Sequence, residues 1–461
     1  MSSGRTPRGQ QQRAVVVGAG LAGSLAACFL ARRGYQVDVF ERRADPRAAP
    51  AGVAGRSINL GLSARGMRAL RDVGLLDEVL KRSVPMRGRV VHRPDGTVRF
   101  QPYGVAEHHI LHSVLRDELI ALLVDAADAQ PGVRFHFGRR LELLDRDSPT
   151  VTVRPVDGGD RVTVAADLVV GADGAFSATR RMLQHGLRGS HSQTVLDWGY
   201  KELTIPPDPQ GRPRVRLEAL HVWPAEQGLM VAHPNRDASL TCSLFLPFDG
   251  PTGFTALDTP AAIRGFIARY MPDATALLPR LVEEFTSHPT GELVTVRTTP
   301  WQHAGRVVLI GDAAHAVYPF YGQGMNAAFE DCLVLDRCLA REPDPAGALA
   351  AFEATRRPHT DTLAELSTRN FVELRDRVHR PGYHLRSLAD QALTRLAPEA
   401  WVPLYTMVAH TTTPYAEAVA RAKRQDRLLA AALTGAAAAG VTALAGAARA
   451  VARRRSRGPG C

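Results

Sequence analysis

Cysteine is scarce: five residues in 461 (Cys28, Cys242, Cys332, Cys338 and Cys461), scattered along the chain. There is no CxxC pair and no metal-ligand spacing, so a metal site built on cysteines is excluded. Cys332 and Cys338 are six positions apart on one expected helix, a poor geometry for a disulfide. The five read as small buried hydrophobes in a reducing compartment. Aromatic residues are also few, at 6%. They are not interleaved with basic residues, and no helix-turn-helix or RNA-binding signature is present. The formal charge of +11 therefore does not point to nucleic acid. Basic residues are spread out, with one dense cluster, "RRRSR", at Arg453–Arg457. A secretory signal is lacking too. Residues 1–13 are polar and expected to be disordered, the first apolar run reads as a strand, and the body is expected to be cytoplasmic.

What is present suits a large globular chain, with 45% apolar and 22% charged residues. "AVVVGAGLAGSLAACFLARRGYQVDVFERR" opens with an apolar strand, Ala14 to Val17, that runs into Gly18-Ala-Gly20-Leu-Ala22-Gly23. A helix is expected to Arg33, then a strand from Gln36 to Phe40 ending in Glu41. Gly18 serves the tight turn, Gly20 lets a pyrophosphate approach the backbone, and Gly23 lets helix and sheet pack closely. The helix N-terminus offers unpaired N–H groups to phosphates. Glu41, 23 residues after Gly18, is placed to accept hydrogen bonds from a ribose diol. The acid favours FAD or NAD over NADP at this site and leaves those two open.

Two further strand-end motifs resemble the aromatic-hydroxylase class of flavoproteins. "DLVVGADG" ends in Asp173-Gly174, and "GRVVLIGD" ends in Gly311-Asp312. The resemblance implies that Asp312 holds the flavin ribityl chain. It also implies that Asp173 supports the FAD site and the nicotinamide approach. No second GxGxxG with strand context exists, which fits a class that uses NAD(P)H transiently over one FAD domain. After the second motif, Gly322-Gln-Gly324-Met325-Asn326 precedes a helix whose N-terminus would face the flavin pyrimidine edge. Glu330 and Asp331 are adjacent and face different sides of that helix, so they make a poor acid–base pair. Their ordinary reading is solvated or capping charge. His315 is expected beside the flavin in a structural or electrostatic role.

From Ala14 to about Met407 the chain resembles the kynurenine 3-monooxygenase family. The stretches that carry this are "GRSINLGLSARGMRALRDVGL", "VPMRGRVVH", "WGYKEL", the Gly311-Asp312 segment, "RNFVELRD" and "VPLYTMV". The resemblance implies a substrate head group held by Arg89, Tyr103, Asn370 and Tyr405. It implies FAD contacts at Ala22, Phe40, Glu41, Arg42, Gly61, Arg116, Leu141, Asp312, Met325 and Asn326, with Pro319 and Phe320 lining the flavin and oxygen side. It further implies hydroxylation of L-kynurenine with NADPH and O2 through a flavin C4a-hydroperoxide, with no metal and no catalytic side chain. Alternatives are a related flavin monooxygenase on a substituted kynurenine, anthranilate or quinone precursor, or a flavin-binding protein without hydroxylase activity.

The expected class is α/β (α+β), a Rossmann-like FAD-binding domain interleaved with a β-sheet substrate domain. Its parts are 14–194 (FAD, with a substrate-contacting segment at 84–104), 195–299 (substrate sheet), 300–358 (FAD) and 359–425 (helical). In the remaining 426–461, Leu428 to Ala448 carries no charge over 21 residues. As a helix at about 1.5 Å per residue it just reaches across a hydrocarbon core of about 30 Å. It is mostly alanine and glycine, so packing on protein and association of 428–457 with an anionic membrane surface both stand as readings.

Overall fold

The computed structural model describes residues 11–48, 58–104, 106, 109–225, 228–376, 390, 392–431 and 434. Most of the apolar tail and the whole Arg453–Arg457 cluster lie outside them. Among the described residues no helix is long and apolar enough to cross a membrane.

The first sheet is built from short apolar runs. Its order is Gln302–His303, Val307–Leu309, Leu168–Gly171, Arg13–Val17, Gln36–Phe40 and Val133–His136. All neighbours pair in parallel except Gln302–His303. Ala14, Val15, Val16, Val169, Val170, Val307 and Val308 are completely buried, as expected for parallel strands covered on both faces. Helices Leu21–Arg32 and Gly324–Arg341 pack together on this sheet. Arg13–Val17 has one neighbour that precedes and one that follows the crossover, so its C-terminal end is a switch point where a ligand cleft opens.

A second sheet has seven strands, in the order Gly291–Thr299, Ser190–Ile205, Leu240–Pro247, Gly228–Pro234, Leu220–Ala225, Gly88–His92 and Val98–Pro102. It is antiparallel except where Leu220–Ala225 runs parallel to Gly88–His92. Its strands alternate, and its two faces bury different cores. One face packs Met230, Ala232, Trp223 and Leu244 against helices Pro260–Tyr270 and Leu281–Ser287. The other carries Trp198, Leu229, Val231 and Phe245 toward Tyr318, Phe320 and Phe371. A small sheet of Asn59–Leu62, Leu111–Leu115 and Val84–Met86 joins the two halves. Asn59 stitches it to the large sheet, its Nδ2 donating to Ser113 Oγ at 3.0 Å and Asn235 Oδ1 at 2.6 Å.

The C-terminal region adds the 32-residue helix Pro345–Asp376 and the short helix Leu404–His410. Between Asp376 and Ala392 only Asp390 is described.

Candidate functional site

The glycine loop obeys local sterics. Gly18 has φ +102°, and an added Cβ would lie 2.6 Å from the Ala172 carbonyl oxygen. At Gly23 it would overlap the Gly18 carbonyl oxygen, whereas at Gly20 nothing lies within 4 Å. Gly18 and Gly23 thus serve packing, and Gly20 borders open space. The first intrahelical bond of Leu21–Arg32 runs from Ser24 N to Gly20 O, so the preceding N–H groups have no helical acceptor. The Glu41 carboxylate accepts from Ala19 N and Arg43 N, both at 2.9 Å, and so closes the loop onto the second strand.

The second wall is the Gly311-Asp312 turn. Gly311 has φ +58° and packs 3.2 Å (as a built Cβ) from the Ala22 methyl, which brings the two loops together. Asp312 is exposed by surface area, at the start of the short helix Asp312–His315. Burial pushes its carboxyl up from the usual value, against a downward pull from His315 and Arg116. Helix Gly324–Arg341 begins close by, and its first turn is aimed by Asn326. This side chain is fully buried, with Oδ1 accepting from Ser63 N at 2.9 Å and Nδ2 donating to the Gly61 and Gly322 carbonyls.

These placements sort the expected cofactor residues. Gly18, Gly20, Ala22, Gly23, Glu41, Gly61, Arg116, Asp312, Gly324, Met325 and Asn326 gather around the meeting of the loops. Asn326 acts as a clamp, since both ends of its amide are used internally. Asp173 is likewise engaged: its carboxylate accepts from Ser177 Oγ, Ala178 N and Thr179 N at 2.5–3.0 Å and caps helix Ala178–Gln184. The Phe40 ring is buried and stacks on His136 at 4.7 Å, leaving its backbone nearer the loop. Arg42 is exposed, and Leu141 packs at the edge of the main core.

The substrate residues fall into two groups. Arg89, on strand Gly88–His92, lies 4.9 Å from the Tyr405 ring centroid and 5.8 Å from that of Tyr103. The two tyrosine rings stack at 5.7 Å. Burial, reinforced by Tyr405, raises the Tyr103 phenol well above its usual value. The two phenols are close enough to perturb each other, yet the buried Tyr103 hydroxyl makes no hydrogen bond of normal geometry. Asn370 instead supports a loop: its Nδ2 donates to Phe320 O at 2.7 Å. Phe320 stacks on Phe371 at 4.6 Å, and Tyr321 approaches Tyr405 at 5.9 Å, so Asn370 connects to the same wall at one remove. Pro319 is exposed beside them. His109 and His410 extend this aromatic cluster and carry no local sequence signal that would single them out.

The largest departure from the sequence reading is at Glu330 and Asp331, which are paired and interior where solvated or capping charges are expected. Asp331 is fully buried. Its Oδ2 accepts from Gly311 N at 2.9 Å and meets His315 Nε2 at 2.5 Å, while Oδ1 accepts from Arg356 Nε at 2.7 Å. Arg356 also donates to Glu330 Oε2 at 2.6 Å, and the other Glu330 oxygen accepts from Arg65 at 3.0 Å. Arg65 is buried, lies 3.9 Å from the Tyr415 ring centroid, and donates to the carbonyls of Val408 and Thr413. Burial pushes both carboxyls up, but His315 and Arg356 at Asp331, and Arg356 and Arg65 at Glu330, bring both below the ordinary carboxylate values.

A strand-end glycine turn, a helix start and a carboxylate-braced loop brought together at the ends of the parallel strands are the arrangement of a flavoprotein of the aromatic-hydroxylase class. Residues 11–367 match the family model described as the FAD binding domain. The chain is 67% identical over 448 residues to "Kynurenine 3-monooxygenase" of Salinispora arenicola, covering 97% of this chain and 99% of that protein. The protein of the same name from Myxococcus xanthus is 43% identical over 400 residues, covering 87% and 86%. The chain belongs to the kynurenine 3-monooxygenase family and is an FAD-dependent monooxygenase. Among solved structures, 2-methyl-3-hydroxypyridine-5-carboxylic acid oxygenase in its tetrameric form shares the fold, with TM-score 0.64 and 23% identity over 81% of this chain and 95% of that one. So does PqsL of P. aeruginosa, with TM-score 0.62 and 24% identity over 80% and 98%.

The glycines separate cofactor binding from folding. Gly20→Ala should leave the melting temperature of the flavin-stripped protein unchanged but retain FAD at least about tenfold more weakly, because an added methyl there meets no protein atom within 4 Å and would extend into the space proposed for the pyrophosphate. Gly23→Ala should lower the melting temperature of the flavin-stripped protein as well. Flavin absorbance and thermal melts of both variants check this. Equal FAD retention by Gly20→Ala and wild type would remove that turn from the site.

Proposed function

We propose that this protein hydroxylates L-kynurenine at ring carbon 3, consuming NADPH and O2 with FAD bound. One oxygen atom enters the ring, the other leaves as water, and NADPH supplies two electrons. The observation that carries the substrate reading is the buried cluster of Arg89, Tyr103 and Tyr405, in which the guanidinium lies 4.9 Å from the Tyr405 ring centroid and the Tyr103 hydroxyl has no hydrogen bond of normal geometry. A guanidinium and a phenol donor facing one space suit an α-carboxylate, the group that an amino-acid substrate brings.

When bound, FAD supplies the redox and oxygen-activating chemistry. The residues of this chain position and shield. Arg89, Tyr103 and Tyr405 take the amino-acid head. Phe320, Phe245, Leu229 and Val231 offer an apolar wall that orients the aromatic ring and excludes water. Asn370 fixes the Phe320 carbonyl, so the wall keeps its shape. The glycine turn at Gly18–Gly23, with Glu41, is assigned to the adenosine and pyrophosphate end, and Asp312 to the ribityl chain. The N–H groups of Gly324, Met325 and Asn326, with the helix dipole behind them, stabilise negative charge at the flavin edge. The division into 14–194, 195–299, 300–358 and 359–425 is proposed on the same reading, as is a cytoplasmic body. For 428–457 we favour association with an anionic membrane surface, on the lack of charge in 428–448 and the basic cluster Arg453–Arg457 that follows it.

Purified FAD-loaded protein should oxidise NADPH faster with L-kynurenine and yield a product heavier by one oxygen atom. A rate indifferent to kynurenine, with no oxygenated product, contradicts the substrate. Arg89→Ala should raise the KM for kynurenine about ten- to a hundredfold, as loss of a charged hydrogen bond does. An unchanged KM removes Arg89 from the head site. For the tail, a chain ended at Arg424 should shift from the membrane to the soluble fraction. Identical fractionation of both chains argues for packing on protein instead.

A further inference from the structure

The strand Gly228–Pro234 alternates between the two faces of the large sheet. Met230 and Ala232 enter the core behind it, while Leu229 and Val231 face the cleft with Phe245 and Phe320. His233 continues the second set and so points to the cleft. The pairing places it further. Leu220 lies opposite Arg89, and His221 lies opposite Ala232. Extending that antiparallel register by one residue sets Leu220 beside His233. Arg89, Leu220 and His233 then form one row across three adjacent strands, its ends about 10 Å apart at the backbone. Leu220 packs on the Tyr103–Tyr405 cluster and on the apolar wall, so the row runs from the head site along the cleft.

At the far end of this row from Arg89, His233 follows the apolar residues Leu229 and Val231 on its strand. It is half-buried. No described residue hydrogen-bonds its ring, and Thr241 opposite it already accepts from Asn235 Nδ2 at 3.0 Å. Desolvation pushes its pKa down to about 4, so at neutral pH the imidazole is uncharged, with one donor and one acceptor nitrogen. The half-buried imidazole, with neither bond made by a described residue, leaves one donor and one acceptor for a ligand in the cleft.

We propose that His233 is a specificity-determining residue that hydrogen-bonds the ring-amine end of the substrate while Arg89 holds its carboxylate end. This rests on the kynurenine reading above. An ortho-amino aryl ketone suits the site: its amine donates to the unprotonated ring nitrogen. The backbone span of the row leaves room for both side chains to reach inward to an aryl-keto amino acid.

The test is equilibrium binding of L-kynurenine and of its analogue with hydrogen in place of the ring amine, both to FAD-loaded protein. Wild type should prefer kynurenine by about tenfold, the worth of one hydrogen bond. His233→Leu should bring the preference close to parity, and His233→Gln should restore part of it. A preference that both variants keep overturns the proposal. Loss of bound FAD from both variants, read by visible absorbance, assigns His233 to the cofactor and overturns it too. If wild type binds neither ligand, the kynurenine reading itself fails, which differs from an unchanged preference.

Discussion

A single buried carboxylate, Asp331, holds the parts of this site together. Its charge is balanced from three directions: by the Gly311 N–H at the flavin-side turn, by His315 four residues on, and by Arg356 from the next helix. Gly311 needs a left-handed φ of +58°, and an N–H bonded to a fixed anion holds it there. Glu330 relays the same ion network to Arg65, and Arg65 binds the backbone of the C-terminal segment at Val408 and Thr413. That segment includes helix Leu404–His410 and therefore Tyr405. The turn proposed to hold the cofactor and the helix proposed to hold the substrate are thus braced by one chain of buried charges. Such pairs add little stability compared with a packed apolar core, but breaking one leaves an uncompensated buried charge. Their contribution is to position.

With those parts fixed, the two sheets divide the work. The parallel sheet ends its central strand at the glycine turn, where the backbone offers N–H groups and no side chain intrudes. The antiparallel sheet supplies a wall whose alternation presents Leu229, Val231 and Phe245 to the cleft and buries Met230 and Ala232 behind it. Phe320 and Phe371 close that wall from the helical side, and Asn370 holds Phe320 in place. The protein contributes shape, exclusion of water and a few aimed dipoles, and the reactive group is brought by the cofactor.

The first strand, helix and second strand are legible within one residue at each end, because glycine sterics and buried apolar runs are local facts. The role of Glu41 is legible as a position, yet its bonds to Ala19 N and Arg43 N appear only in the fold. Glu330 and Asp331 show why the rest was hidden. Neighbours on a helix point to different sides, and that reasoning holds. But this helix is buried on both sides, and the compensating Arg65 and Arg356 come from elements on either side of it in sequence. Asn326 and Asp173 carry the right motif but spend their side chains on loop clamping and helix capping. His233 had no local signal: only the cross-strand row with Arg89 gives it a place.

Asp331 acts through its charge, and Asp331→Asn removes the charge while keeping the shape. The deciding measurement is the FAD dissociation constant of this variant, taken where its circular dichroism matches wild type. Weakening of at least about tenfold is expected, since the turn loses the anion that orients Gly311 and Arg356 keeps only Glu330 as its counter-ion. Wild-type FAD affinity in the folded variant would contradict it.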